Sequence, residues 1–240
     1  MSIRYATVEK FEGWEKALEA VSGIALDENS KKILEIGSGA NPTLPESFIN
    51  THSIDYTTND ISSEELLKAP PGYKRLCFDF SEQIPPKELK GQYDLVFSRM
   101  VNEHVRDGEQ YYRNIHSVLQ RGGLTVHWFS TLYAFPFLVN KYFPDSVSGI
   151  LLNILSPRDR YQYQKFKAYY SWGRGPSHKM QARFTRLGFE VVEYTGYFGH
   201  TYYRKRIPLL HQIEMRKAQY LVNHPTPHLT SYACVKLRKI

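Results

Sequence analysis

The chain has 240 residues, 42% hydrophobic and 14% aromatic, with a formal net charge of +7. This much apolar material excludes global disorder, and the length suits one α/β domain with an insertion better than two full domains. The charge admits nucleic acid, anionic lipid or phosphorylated partners as readily as plain solubility, but the basic residues are dispersed and form no polybasic arm.

Along the chain, residues 7–22 place Phe11, Trp14, Leu18 and Val21 at helical spacing, which predicts an amphipathic helix that covers a sheet edge or closes over a cofactor site. Lys31–Ile36 reads as a strand running into Gly37, and Pro45–Glu46 as a helix start. His52–Tyr56 reads as a second strand, ending in the polar segment Thr57–Asp60, and Ser62–Leu67 as a short helix. Lys74–Phe78 is a third strand, followed by Asp79, and Tyr93–Ser98 is a strongly apolar fourth. Gly108–Leu119 is a helix with Tyr112, Ile115 and Leu119 on one face, stopped by Gly122–Gly123, and Leu124–Phe129 is a fifth strand. Phe189–Tyr194, after the helix stop at Gly188, and Thr230–Leu237 complete seven strands.

The alternation predicts an α/β fold with a mostly parallel sheet, and the runs LVF and LTV fit strands buried on both faces. The two late strands, with an irregular connection between them, suit a mixed edge to the sheet. Residues 131–183 break the alternation and read as a lid insertion over the carboxyl ends of the strands, after the fifth strand. One domain, 1–240, is therefore expected, with its core in 24–130 and 184–240. Cys77 and Cys234 lie outside any CxxC or Cys/His spacing, so no metal site is indicated and a reducing compartment is suited. The N-terminus lacks an apolar signal core and no apolar run reaches bilayer length, so a cytoplasmic protein is expected.

The strongest local signal is LEIGSGANP, residues 34–42. A strand, then glycines, then a helix lets a ligand approach the backbone closely. A dinucleotide fingerprint wants a third glycine where Pro42 stands, which argues against a nicotinamide or flavin site. Asp60 lies at the spacing where a carboxylate accepts from both ribose hydroxyls, ahead of the competing Asp55. Asp79 is placed to accept from an adenine amino group while Phe80 packs the ring. Any one such acid also suits a helix N-cap; the ordered set does not reduce to caps.

The series LEIGSGANP, Asp60-Ile61-Ser62, Asp79-Phe80, YDLVFSRMVNEHV and LQRGGLTVHWF resembles the class I S-adenosylmethionine-dependent methyltransferases. The closer likeness is to the small-molecule branch with ubiquinone-pathway and sterol-type enzymes, over roughly residues 30–130 and the two late strands. The resemblance implies a Rossmann-like seven-stranded sheet with an antiparallel last strand, and S-adenosylmethionine as cofactor with S-adenosylhomocysteine as product. It implies that Glu35, Gly37, Ser38 and Gly39 shape the methionine pocket, that Asp60 and Ile61 hold the ribose, that Asp79 and Phe80 contact adenine, and that Ser98 and Arg99 face the sulfonium region. Where the family's loop often reads GxGxG, position 41 here is Asn.

A general base is needed only for a hydroxyl or protonated amine acceptor. His104 after the fourth strand, His127 in the fifth and His200 after the sixth are the candidates, each with a competing structural reading as a packed or capping histidine. In the insertion, Arg158, Arg160, Tyr169, Tyr170, Trp172 and Arg174 suit a clamp on an anionic or sugar-like acceptor, or a solvated surface. The apolar residues 135–155 suit lid core, a pocket for a greasy acceptor, or membrane contact. The expected function is methylation of a small-molecule, sugar-like or lipid-like acceptor. The rivals are an RNA methyltransferase, which no RNA-binding module or Asn/Asp-Pro-Pro-aromatic signature supports, and a non-catalytic S-adenosylmethionine-binding scaffold.

Overall fold

The computed structural model describes residues 2–131, 167–201, 204 and 207–240. In chain order the strands are β1 (Ser2–Thr7), β2 (Lys32–Ile36), β3 (Asp55–Asp60), β4 (Lys74–Cys77), β5 (Tyr93–Arg99), β6 (Leu119–Ser130), β7 (Phe189–Phe198) and β8 (Tyr232–Lys239). The helices are α1 (Ala17–Asp27), α2 (Glu46–Thr51), α3 (Ser63–Lys68), α4 (Gly108–Val118), α5 (His178–Arg186) and α6 (Pro208–Asn223). The strands form one sheet in the order β1-β7-β8-β6-β5-β2-β3-β4. All neighbours are parallel except those of β8, which runs antiparallel to both β6 and β7.

Successive residues of the central strands feed opposite cores, as the pleat requires. Ile33, Leu95 and Phe97 join one apolar cluster, to which α1 adds Val21 and Ala25. Leu34, Ile36 and Val96 join the other, covered by Tyr111, Tyr112, Ile115 and Val118 of α4 and by Met180 and Phe184 of α5. Each fully buried apolar side chain contributes roughly 1.5–3 kcal/mol. The helix starts are capped where the sequence carries the right oxygen. Ser62 accepts from Glu65 N, Asp107 from Gln110 N and Ser177 from Met180 N.

The expected α/β sheet with an antiparallel last strand is present, and five expectations change. An eighth strand, β1, pairs parallel with β7 where the sequence suggested only the approach to a helix. The helix expected over 7–22 starts at Ala17, and before it Gly13 passes so close that a Cβ would stand 2.6 Å from the Phe11 ring and 2.7 Å from Trp128 Cβ. β3 runs to Asp60 instead of stopping at Tyr56. Its polar end is stable inside the sheet because Asn59 Nδ2 donates to the carbonyls of Leu76 at 2.8 Å and Phe78 at 2.9 Å. Finally, Gly122–Gly123 do not stop α4. The helix ends at Val118, and the glycines lie in a bulge of β6 where the register jumps from Tyr93↔Leu119 to Leu95↔Leu124. β8 also lies inside the sheet, with β7 and β1 beyond it. Most of the expected lid, residues 132–166, lies outside the described residues.

Candidate active site

The parallel strands β2 to β5 all end on one edge, and the turns leaving them meet there. After β2 the chain turns through Gly37 (φ +72) and Gly39 (φ +51), and Gly37 N and Ser38 N both donate to Asn59 O, at 2.8 and 3.0 Å. A Cβ on Gly37 would stand 2.3 Å from Val101 Cγ2, so this left-handed turn tolerates no side chain. Glu35 lies beneath it, 1% exposed. Its carboxylate accepts from Thr43 N at 2.9 Å, from Thr43 Oγ1 and from the Tyr56 hydroxyl, with Arg99 Nε 3.7 Å away. Burial raises its pKa, and these donors pull the other way. Glu35 thus ties the far end of the glycine turn to β3 and β5, and Arg99 is engaged with it.

Asp60, the last residue of β3, accepts from Ser62 N through Oδ1 at 2.9 Å. Its Oδ2 lies 3.4 Å from where a Cβ on Gly39 would sit, so it faces the glycine turn. The competitor Asp55 lies at the opposite end of β3, paired with Lys74 Nζ at 2.6 Å. Asp79, after β4, accepts from Ser81 N and Ser81 Oγ, both at 2.7 Å.

These groups border a cleft of about 180 Å³. Of the residues expected from sequence, Gly37, Asp60, Ile61, Asp79 and His104 line it. The structure adds Ile36, Asn59, Ser81, Met100, Val101, Val105 and Tyr111. Val101 and Val105 lie within the motif YDLVFSRMVNEHV but had no role assigned there; Tyr111 had a weak signal, as a neighbour of the apolar face of α4. Met100 turns sharply (φ +55), and its N–H donates to Trp128 O at 2.7 Å. Phe80 is not on the wall. It is 2% exposed, packs edge-on to Phe78, and its carbonyl accepts from Asn114 at 2.8 Å. Ser98 is likewise buried, with Oγ 2.7 Å from His127 Nδ1.

The three histidines separate. His104 lies on the cleft and its Nδ1–H donates to Lys167 O at 3.1 Å, which makes Nε2 the proton-accepting nitrogen of the neutral ring. His127 is fully buried between Tyr111 and Tyr112, its nitrogens 2.7 Å from Ser98 Oγ and 2.7 Å from Thr125 Oγ1. Burial lowers its pKa to about 3, so it stays neutral and packs the core instead of serving the cleft. His200 comes after Gly199 at the end of β7, 3% exposed, with Nε2 3.9 Å from Glu214 of α6. Burial lowers its pKa and Glu214 opposes that. Glu103, beside His104, went unremarked in the sequence; it is buried, its Oε1 accepts from Ser130 Oγ at 2.8 Å, and burial raises its pKa.

Of the proposed acceptor clamp, Arg158 and Arg160 lie outside the described residues. Trp172 is no clamp: it is 8% exposed, stacked on Tyr112 and carrying Arg183 over its ring at 5.3 Å. Tyr170 is buried as well, and its N–H joins that of Tyr169 on Glu103 O. Residues 167–172 therefore stitch the end of the insertion to the loop after β5.

A family model described as a methyltransferase domain matches residues 8–194. No curated protein matches the sequence. Among solved structures, the chain is similar to a putative sarcosine dimethylglycine methyltransferase from Galdieria sulphuraria, at 11% identity and TM-score 0.54, over 93% of this chain and 85% of that one. It is similar to a SAM-dependent methyltransferase from Archaeoglobus fulgidus, at 13% identity and TM-score 0.51, over 95% and 97%. It is also similar to phosphoethanolamine N-methyltransferase 2 from Haemonchus contortus, solved with phosphomonomethylethanolamine and S-adenosylhomocysteine, at 15% identity and TM-score 0.55, over 94% and 53%. At these identities the likeness is one of fold.

Proposed function

The chain belongs to the methyltransferase-domain family, and on that premise we propose that it transfers the methyl group of S-adenosylmethionine to a small-molecule acceptor. The observation that carries this is the single cleft onto which Gly37, Asp60, Ile61 and Asp79 converge from three successive strand ends. The donor set fits the cofactor. Asp60 offers a carboxylate to a ribose diol, Asp79 offers one to an adenine amino group, and Ile61, Val101 and Val105 supply apolar walls for the ring. The glycine turn leaves room for the methionine portion, and Glu35 holds that turn in shape.

When bound, S-adenosylmethionine would supply an electrophilic methyl carbon, the acceptor's bond to it forming as the carbon–sulfur bond breaks and S-adenosylhomocysteine leaves. The chain's own part is to position the acceptor and exclude water. His104 is the one histidine of the three candidates on the cleft, and its Nε2 suits proton removal from a hydroxyl or ammonium acceptor. His127 and His200 serve as structural groups in this reading. Within this reading a sugar-like or lipid-like acceptor is proposed on the resemblance of the motifs to the ubiquinone and sterol-type branch alone.

Titration calorimetry of the full chain with S-adenosylmethionine and S-adenosylhomocysteine tests the reading; absence of heat for both overturns it. Once an acceptor is found, His104→Ala should keep cofactor affinity and lose turnover. Unchanged turnover, with an acceptor that must lose a proton, removes His104 from the chemistry.

A further inference from the structure

α6 is apolar on two sides. Ala218 and Leu221 are buried on its inner side, clustered with Phe198 of β7. At about 100° per residue, Leu209, Ile213, Arg216 and Tyr220 fall together on the opposite side, within about 60° of one another. Leu209 is 69% exposed, Ile213 54% and Tyr220 61%. Helices that cover a sheet carry polar groups at this apex, so three large apolar side chains in one stripe need an occupant.

The charge around the stripe has one sign. The single acid of α6, Glu214, is 11% exposed and turned inward, where it holds Lys217 Nζ at 2.6 Å and faces His200. Arg216 stands in the stripe itself, and among the described residues no carboxylate pairs with it. Arg204, exposed just before the helix, adds another cation, within a chain of net charge +7. The stripe is a convex ridge. Three side chains on a ridge fall well short of the roughly 800 Å² per partner that a stable protein interface buries. A two-fold contact between copies through this face would also bring Arg216 against its own kind. A deformable anionic surface has neither difficulty: the apolar tips enter the headgroup boundary, the tyrosine sits at the interface and the arginine meets phosphate.

We propose that the outer face of α6, through Leu209, Ile213, Tyr220 and Arg216, docks on an anionic lipid bilayer surface. Docking is peripheral; among the described residues no helix is long and apolar enough to cross a membrane.

The test is co-sedimentation of the full chain with vesicles of phosphatidylglycerol and phosphatidylcholine, and with phosphatidylcholine alone. Binding to the anionic vesicles, weakened by salt and at least about tenfold stronger than to neutral ones, is expected. The exposed double variant Leu209→Ser/Ile213→Ser should bind at least about tenfold more weakly, with thermal melting and S-adenosylmethionine affinity unchanged. Arg216→Glu should lose the preference for anionic vesicles. No vesicle binding by the wild type, or equal binding by the double variant, overturns the proposal. So does self-association in solution that the double variant abolishes, since the ridge would then be a contact between copies. None of these outcomes bears on methyl transfer, which calorimetry with S-adenosylmethionine judges separately.

Discussion

At one edge of the sheet, β2, β3 and β5 end in turns that open. Gly37, Asp60 and Met100 stand around a cleft, with polar atoms exposed to whatever enters. At the same edge, β7 ends and β8 begins in a closed aromatic plug. Phe11 packs on Tyr197 and Tyr232 with ring centroids at 5.2 and 5.0 Å, and Trp14 packs on Tyr232 at 4.7 Å. Both halves have strands of like composition; they differ in the residues that come after each strand ends. Glycines at positive φ let one half approach a ligand, while bulky rings fill the space in the other. A histidine's role depends on its depth: His104 reaches the cleft, whereas His127, behind Tyr111 of the cleft wall, is sealed between hydroxyls and rings.

The largest effect should break the open half. Gly37→Val places a branched side chain at φ +72 against Val101. It should cost about 2–4 kcal/mol of stability and abolish S-adenosylmethionine binding by calorimetry. A variant that binds like wild type would mean the turn does not touch the cofactor.

His127→Ala probes the packing behind the open half, where the imidazole supports Tyr111 of the cleft wall. It opens a cavity and strands Ser98 Oγ and Thr125 Oγ1, so urea unfolding at neutral pH should show a loss of about 2–4 kcal/mol. Cofactor affinity should survive; its loss would mean that the imidazole shapes the cleft wall through Tyr111. The pH dependence sharpens this. With a folded pKa of about 3 against an ordinary 6.5, the folded protein resists a proton that the unfolded chain accepts. Wild-type stability therefore falls as pH drops from 6.5 toward 3, by up to about 1.4 kcal/mol per pH unit from this group. The gap between wild type and His127→Ala should narrow by that amount as the solution is acidified, and a constant gap contradicts a buried neutral imidazole.

Asp60→Ala should weaken S-adenosylmethionine by about tenfold to a hundredfold, the loss of hydrogen bonds from two hydroxyls to one carboxylate. Unchanged affinity sinks the ribose assignment. Smallest is Arg238→Ala. Arg238 forks onto Glu28 at 2.8 and 3.0 Å, joining β8 to the end of α1 at a half-exposed site far from the cleft. Thermal melting should register no more than about 1 kcal/mol, with cofactor binding untouched.

Much of the open half was legible in the sequence because its parts are local. A strand, a glycine turn and an acid at a strand end each occupy a few adjacent residues, and backbone sterics dictate their form. LEIGSGANP reads as a turn for that reason, and Asp60 and Asp79 emerge from counting strands. Val101 and Val105 were not legible, because their contact with the cleft depends on how the loop after β5 folds back over Gly37. Phe80 misled for the opposite reason: an aromatic beside a site acid reads as a stacking partner, yet its ring fills the core under α4.

By itself the sequence determined the alternation of strands and helices, the antiparallel sense of the last strand, the glycine turn and the ordered acids. The alternation and the glycine turn rest on local backbone preference and on the period of apolar residues, while the antiparallel strand and the order of the acids came with the family resemblance. Tertiary structure alone decided that β1 closes the far edge, that β8 lies inside the sheet, and that one histidine of three reaches the cleft. It also decided that α6 carries an apolar ridge outward. Such matters depend on which surfaces meet across distant segments, and burial, unlike propensity, is a property of the whole packed chain.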